Sequence, residues 1–178
     1  GAYTNGAWTV NFGARPFAYS APSGYKALCT TNLPTPTIAD GSDYFTTNLW
    51  SGNDAATRDI TTTFPPDFVW IKSRNQTNPH FVTDSVRGKE KNLFPNTTDQ
   101  EEDPPVYGMV DKFDVDGFRV KYGNHGSDSL RDVNKSGSTY VAWSWNAGSS
   151  TVSNTDGSIT SSVRANPTAG FSIVSYTG

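Results

Sequence analysis

Two aromatic runs constrain this chain more than anything else in it: Phe68-Val69-Trp70-Ile71-Lys72 and Tyr140-Val141-Ala142-Trp143-Ser144-Trp145. Each is a short stretch of β-branched and aromatic residues bracketed by turn formers, which is the pattern of a strand. Strand geometry puts Trp143 with Trp145 on one face, and Phe68 with Trp70 on one face of the other run. Rings of that size are expected inside, packed between two sheets. No 3.6-residue apolar period is sustained anywhere, so any helix is expected to be a single short turn. Many short strands with Gly and Pro turns predict an all-β fold, an antiparallel β-sandwich.

Composition agrees with a thin sandwich and not with a helical bundle. Apolar residues make up 34% of the 178, below the globular average of about 45–50%. Five Trp, eight Tyr and ten Phe offset that shortfall, because each aromatic ring buries a large apolar area. The net charge of −3 and the lack of a basic stripe argue against a nucleic-acid partner. The sole cysteine, Cys29, excludes an intrachain disulfide and reads as a small buried hydrophobe. No stretch approaches 18 apolar residues, so no helical membrane span is expected. Gly1-Ala2-Tyr3-Thr4 has no basic start and no apolar run behind it, so no signal peptide is expected there.

Along the chain, residues 1–36 read as an extended arm or as the close of one unit, and 37–178 as the sandwich. Trp8, Val10 and Phe12 alternate like a strand, Pro22-Ser23-Gly24 is a turn, and Leu33-Pro34-Thr35-Pro36 is an extended linker. Tyr44–Trp50 predicts a strand or arm, and residues 57–63, 80–86 and 106–113 predict strands. Residues 89–105 are the expected long loop, rich in Lys, Asn, Pro and acids. Gly117 is placed at a turn position suited to left-handed backbone, ahead of a strand ending at Tyr122. Asn154-Thr155-Asp156-Gly157 is a hairpin-grade turn before a strand at 158–163, and Gly170–Tyr176 is the last strand.

The sequence names no reaction. There is no Gly-x-Ser-x-Gly elbow and no Gly-rich phosphate loop. His80 and His125 stand far apart, and the glutamates Glu90, Glu101 and Glu102 fall in or near the irregular stretch, so no catalytic residues are assigned. Calcium is the one metal with oxygen donors at tight spacing, at Asp111, Asp114 and Asp116. That run lacks the closing Glu of a full loop, and turn capping is the plainer use of it. Trp50 is the most loop-like indole, next to Ser51-Gly52-Asn53-Asp54. Trp50, Asn53 and Asp54 are therefore the candidate sugar-stacking group.

Several phrases resemble a known pairing of modules. Phe12-Gly13-Ala14-Arg15-Pro16-Phe17-Ala18-Tyr19, then Pro22–Leu28 and Asn32–Pro36, resemble the closing segment of a SPRY-like β-sandwich found in tail and fibre proteins of marine phages. Phe64–Arg74, Asp84–Gly88, Asp116–Phe118 and Thr139–Gly148 resemble the lectin-like module that follows it in such proteins. The resemblance implies a jelly-roll or concanavalin-like sandwich located on a virion, in a tail, fibre or capsid-surface appendage. It implies a homo-oligomer in contact with other virion proteins, with a host glycan as a further partner. Tyr3, Trp8, Phe12, Phe17, Tyr19 and Tyr25 are the expected assembly arm. The body of a SPRY-like unit that would precede residue 12 has no counterpart here. Two rivals remain at this level: a carbohydrate-binding module and a polysaccharide-degrading enzyme.

Overall fold

The computed structural model describes residues 10–11, 15–26, 32–122 and 133–178. It divides into two compact units, Gly1–Ala39 and Asp40–Gly178. In the first, the Tyr25 amide donates to the Pro22 carbonyl at 3.0 Å. Gly24 sits at φ +86°, the left-handed backbone this tight turn requires. Phe17, Tyr19 and Tyr25 are exposed, whereas Tyr3, Trp8, Phe12 and Cys29 lie outside the described residues.

The second unit is all-β. A 3₁₀ turn at Gly41–Asp43 is capped by Asp40, whose Oδ1 accepts from the Ser42 amide at 2.9 Å. Those contacts hold the Asp40 carboxyl below its usual range, the Ser42 hydroxyl first and its amide second. A five-stranded antiparallel sheet follows the order β1 (Phe45–Ser51), β8 (Thr139–Trp145), β3 (Phe68–Ser73), β4 (Phe81–Asp84), β5 (Gly88–Leu93). A three-stranded sheet, β2 (Thr57–Thr61), β7 (Gly117–Lys121) and β6 (Met109–Asp114), packs on its inner face. A second three-stranded sheet runs β11 (Phe171–Tyr176), β10 (Ser161–Asn166), β9 (Thr151–Asn154). Among the described residues no helix is long and apolar enough to cross a membrane.

The core lies between the first two sheets. Trp50, Val69, Ile71, Phe81, Tyr140 and Ala142 come from the five-stranded sheet, and Ile60, Val110, Phe118 and Val120 from its partner. Strand alternation decides the rest, because Val69 and Ile71 face inward and so Phe68 and Trp70 face outward. β3 and β8 are direct neighbours, with Trp70 opposite Trp143 and Phe68 opposite Trp145. All four rings therefore share one half-buried face turned away from the core, and the expectation that they lie between sheets is corrected for Trp70 and Trp143, whereas Phe68 and Trp145 are met by Phe171 of the third sheet. The interior is already filled by Trp50, Tyr140, Phe81 and Phe118. The outward rings shield one another edge-on instead: Trp70–Trp143 centroids are 5.9 Å apart at 71°, and Phe68–Trp145 5.4 Å at 79°.

Of the strand or arm expected at Tyr44–Trp50 the strand forms, as β1 paired in register with β8. Two local readings change. Residues 88–93 form a strand inside the expected loop. Lys89, Glu90 and Lys91 suit an edge, while buried Asn92 is tied down by Thr83 Oγ1 at 2.8 Å and the Gly108 carbonyl at 2.7 Å. Gly117 has no positive φ; it is needed because the Ile60 carbonyl oxygen would lie 2.2 Å from any Cβ there.

Among the described residues the β9–β11 sheet is anchored by one face. Phe171 stacks on Trp145 at 5.6 Å and 17°, and meets Phe68 edge-on at 5.7 Å. Arg164 Nε lies 2.8 Å from Oδ1 of buried Asp67. Gly148, at φ +98°, passes so close to Ala165 that its carbonyl oxygen would be 2.4 Å from a Cβ.

Candidate functional site

The candidate sugar-stacking group does not assemble at the surface. Trp50 is only 6% exposed. Its indole stacks on Tyr140 at 5.3 Å and donates from Nε1 to the Val133 carbonyl at 2.9 Å. It sits near the end of β1 on the inward register, so its nearness in sequence to a turn misled the reading. Asn53 and Asp54 form a latch to the segment that leads into β8. Both backbone amides donate to the Asn134 carbonyl, at 3.2 and 3.0 Å. The Asn134 side chain donates to Asn53 Oδ1 at 2.7 Å, and the Ser136 amide donates to Asp54 Oδ1 at 3.0 Å. Gly52 lies flat against this segment, with the Lys135 carbonyl oxygen 1.9 Å from where a Cβ would stand. Gly52→Ala is expected to cost about 2–3 kcal/mol by forcing the latch apart, read as a lowered urea midpoint with an unchanged slope.

Two of the three aspartates offered for calcium, Asp111 and Asp114, are paired with cations of the chain itself. Asp111 is buried at a register shift in β6 and accepts two bonds from Arg119, Nε and Nη2, both at 2.9 Å. That carboxylate raises the Arg119 guanidinium above its ordinary value. Asp114 pairs with Lys112 and accepts from the Val115 amide at 3.0 Å. The Lys112 ammonium is the main reason the Asp114 carboxyl is held below its ordinary value. Asp116 supports the turn through its carbonyl, which accepts from the Thr62 amide at 2.7 Å. Among the described residues no group of three or more His, Cys, Asp or Glu side chains converges to hold a metal ion.

The surfaces that sequence reasoning missed are two outward faces. The first is the aromatic face of the five-stranded sheet. Trp70 donates from Nε1 to His80 Nδ1 at 3.3 Å, with Lys72 close by on β3. Burial, with a contribution from the Lys72 ammonium, holds the His80 imidazole below its ordinary value. His80 is thus kept neutral, as an acceptor at Nδ1 requires. The unfolded chain then binds more protons than the native one below about pH 6.5. The contribution of His80 to stability is complete above that pH and is lost as the pH falls through the lowered native value. Urea midpoints taken from about pH 7.5 down to 5.5 are expected to drop in the wild type and to drop less in His80→Gln.

The second face belongs to the β9–β11 sheet. Val163 pairs with Val152 on one side and Val174 on the other, and Ser161 pairs with Tyr176. Directly opposed residues point the same way, so Val152, Val163 and Val174 form an apolar row, with Tyr176 beside it, pointing away from the anchored face. Val152, Val174 and Tyr176 are 56%, 53% and 68% exposed. A shallow groove there is lined by Ile159, Ser161, Val174 and Tyr176. The signal was available in the alternation of Phe171–Tyr176, but not the knowledge of which face would be covered.

No curated protein and no solved structure matches the chain. A family described as a domain of unknown function (DUF7483) matches residues 40–178. That span is the whole all-β unit with both of its outward faces, and the chain belongs to this family.

Proposed function

We propose that the chain is a virion structural protein, a tail, fibre or capsid-surface component, and that it works by assembly and display. One observation carries this reading: the β9–β11 sheet is held by one face while Val152, Val174 and Tyr176 are exposed on the other. Contiguous exposed apolar side chains of that kind mark contact surfaces. A repeating particle covers them with a symmetric neighbour. The phage-like phrases within 12–36 and 57–178 support the same reading. Light scattering of the purified chain, together with co-sedimentation against other virion proteins, tests it. A defined oligomer, or retention with those proteins, is expected. A chain that stays monomeric and binds none of them contradicts the proposal.

A second reading, recognition of host surface glycans, is favoured by the outward indoles. Half-buried Trp70 and Trp143, with His80 and Lys72 beside them, offer ring surface next to polar groups. A sugar would stack by its C–H face on such a ring, and the polar groups would orient it. Titration with host surface polysaccharide is expected to shift the indole emission of the wild type and not of Trp143→Ala. Flat curves for both proteins contradict this reading.

A further inference from the structure

We propose that two copies of the chain join edge to edge through β11, forming one continuous six-stranded sheet across a two-fold axis. This rests on the assembly reading above and adds a contact to it, the strand edge, with a second copy as the partner; the exposed face of Val152 and Val174 stays open on one side of the joined sheet. β11 is the last strand of its sheet, and no described strand pairs with its outer edge. Such an edge is a ready template for another strand unless the sequence blunts it. The other edges are blunted or occupied. β5 carries Lys89, Glu90 and Lys91, with Glu90 at φ +61°. β1 and β2 are tied together by side chains: Arg58 Nη1 donates to the Ser51 carbonyl at 2.6 Å, and Asn48 Nδ2 to the Thr61 carbonyl at 2.8 Å. β6 holds the Asp111 register shift and the Lys112–Asp114 pair. β9 is neutral but only four residues long.

β11 has none of these devices. Its six residues, Phe-Ser-Ile-Val-Ser-Tyr, include no charge and no proline, and its register with β10 is unbroken. That neutrality selects a second copy as the occupant. A two-fold contact sets each side chain against the same strand of the partner, so any charge on β11 would meet its own sign. Centred on Val174, the pairing puts Val174 opposite its copy and Tyr176 opposite the small Ser172. Both apolar rows then lie on one side of the joined sheet. The Phe171 and Ile173 face stays on the sandwich of its own subunit, so neither fold has to open.

Full-length chains carrying Cys29→Ser test the contact by cross-linking. Val174→Cys would face its own copy across the axis, at the Cα separation of opposed antiparallel residues, which a disulfide spans. Val152→Cys, exposed on the same face but on β9, is the control. The expected result is a disulfide-linked dimer for Val174→Cys and little for Val152→Cys; equal yields overturn the proposal. Val174→Lys in the native chain sets two ammonium groups opposite each other. It is expected to weaken self-association about tenfold, with a melting temperature unchanged at dilutions where both proteins are monomeric. Unaltered self-association of Val174→Lys overturns the β11 contact and leaves the assembly reading standing. A wild-type chain that is monomeric yet binds other virion proteins does the same. A wild-type chain that does neither overturns both.

Discussion

Asp67→Ala is expected to destabilise the sandwich by about 3–5 kcal/mol, the loss typical when one partner of a buried ion pair is removed. Asp67 is 4% exposed and serves three groups at once. Its carboxylate faces Arg164 Nε at 2.8 Å, accepts from the Ala147 amide at 2.9 Å and accepts from Ser85 Oγ at 3.0 Å. Removing it leaves a partly buried guanidinium without its counter-charge and a buried amide without an acceptor. These contacts link the β3 corner to the β9–β11 sheet. Amide exchange in residues 151–176 is therefore expected to rise more than exchange in β3 or β8. Pairing Asp67→Asn with Arg164→Met is expected to recover part of the loss, because no unpaired charge remains. Urea unfolding and hydrogen exchange read both effects.

Trp50→Ala is expected to cost a similar amount, about 3–5 kcal/mol, while Trp143→Ala costs at most about 2 kcal/mol. The difference is one of position. Trp50 fills the space between the sheets, stacked on Tyr140 and donating to the Val133 carbonyl. Its removal leaves a cavity and an orphaned carbonyl. Trp143 faces outward and loses mainly its edge contact with Trp70. Equal losses for the two variants would mean that the inward and outward faces have been assigned the wrong way round.

The strands themselves were legible in the sequence, because β-branched and aromatic runs between turn residues have few other solutions. The runs at 68–72 and 140–145 appear as β3 and β8 almost residue for residue. Which face of each strand is buried was not legible. Alternation alone says that Trp70 and Ile71 point opposite ways, and hydrophobicity favours the indole as the buried one. The fold buries Ile71, because its interior already holds the large rings of Trp50 and Tyr140. Trp50 was misread for the converse reason: its polar neighbours Ser51 to Asp54 suggested a loop, yet Ser51 pairs with Thr139 and Gly52 to Asp54 bond to the 134–138 segment. β5 was hidden because its pairing depends on backbone and on buried Asn92, not on an apolar pattern. The aspartate run was legible only as tight spacing along the chain. The ion pairs with Arg119 and Lys112 depend on cross-strand register that no local spacing encodes.

The account depends on one sheet being covered on a single face, with its neutral edge left for another subunit. Hydroxyl-radical footprinting of the full chain, read by mass spectrometry from dilute to concentrated solution, tests this most directly. Tyr176 and Val174 are expected to be oxidised in the dilute chain and protected as concentration rises, while Trp143 stays labelled and Trp50 unlabelled throughout. Labelling of Tyr176 and Val174 that does not change with concentration, or oxidation of Trp50 to the level of Trp143, would contradict it.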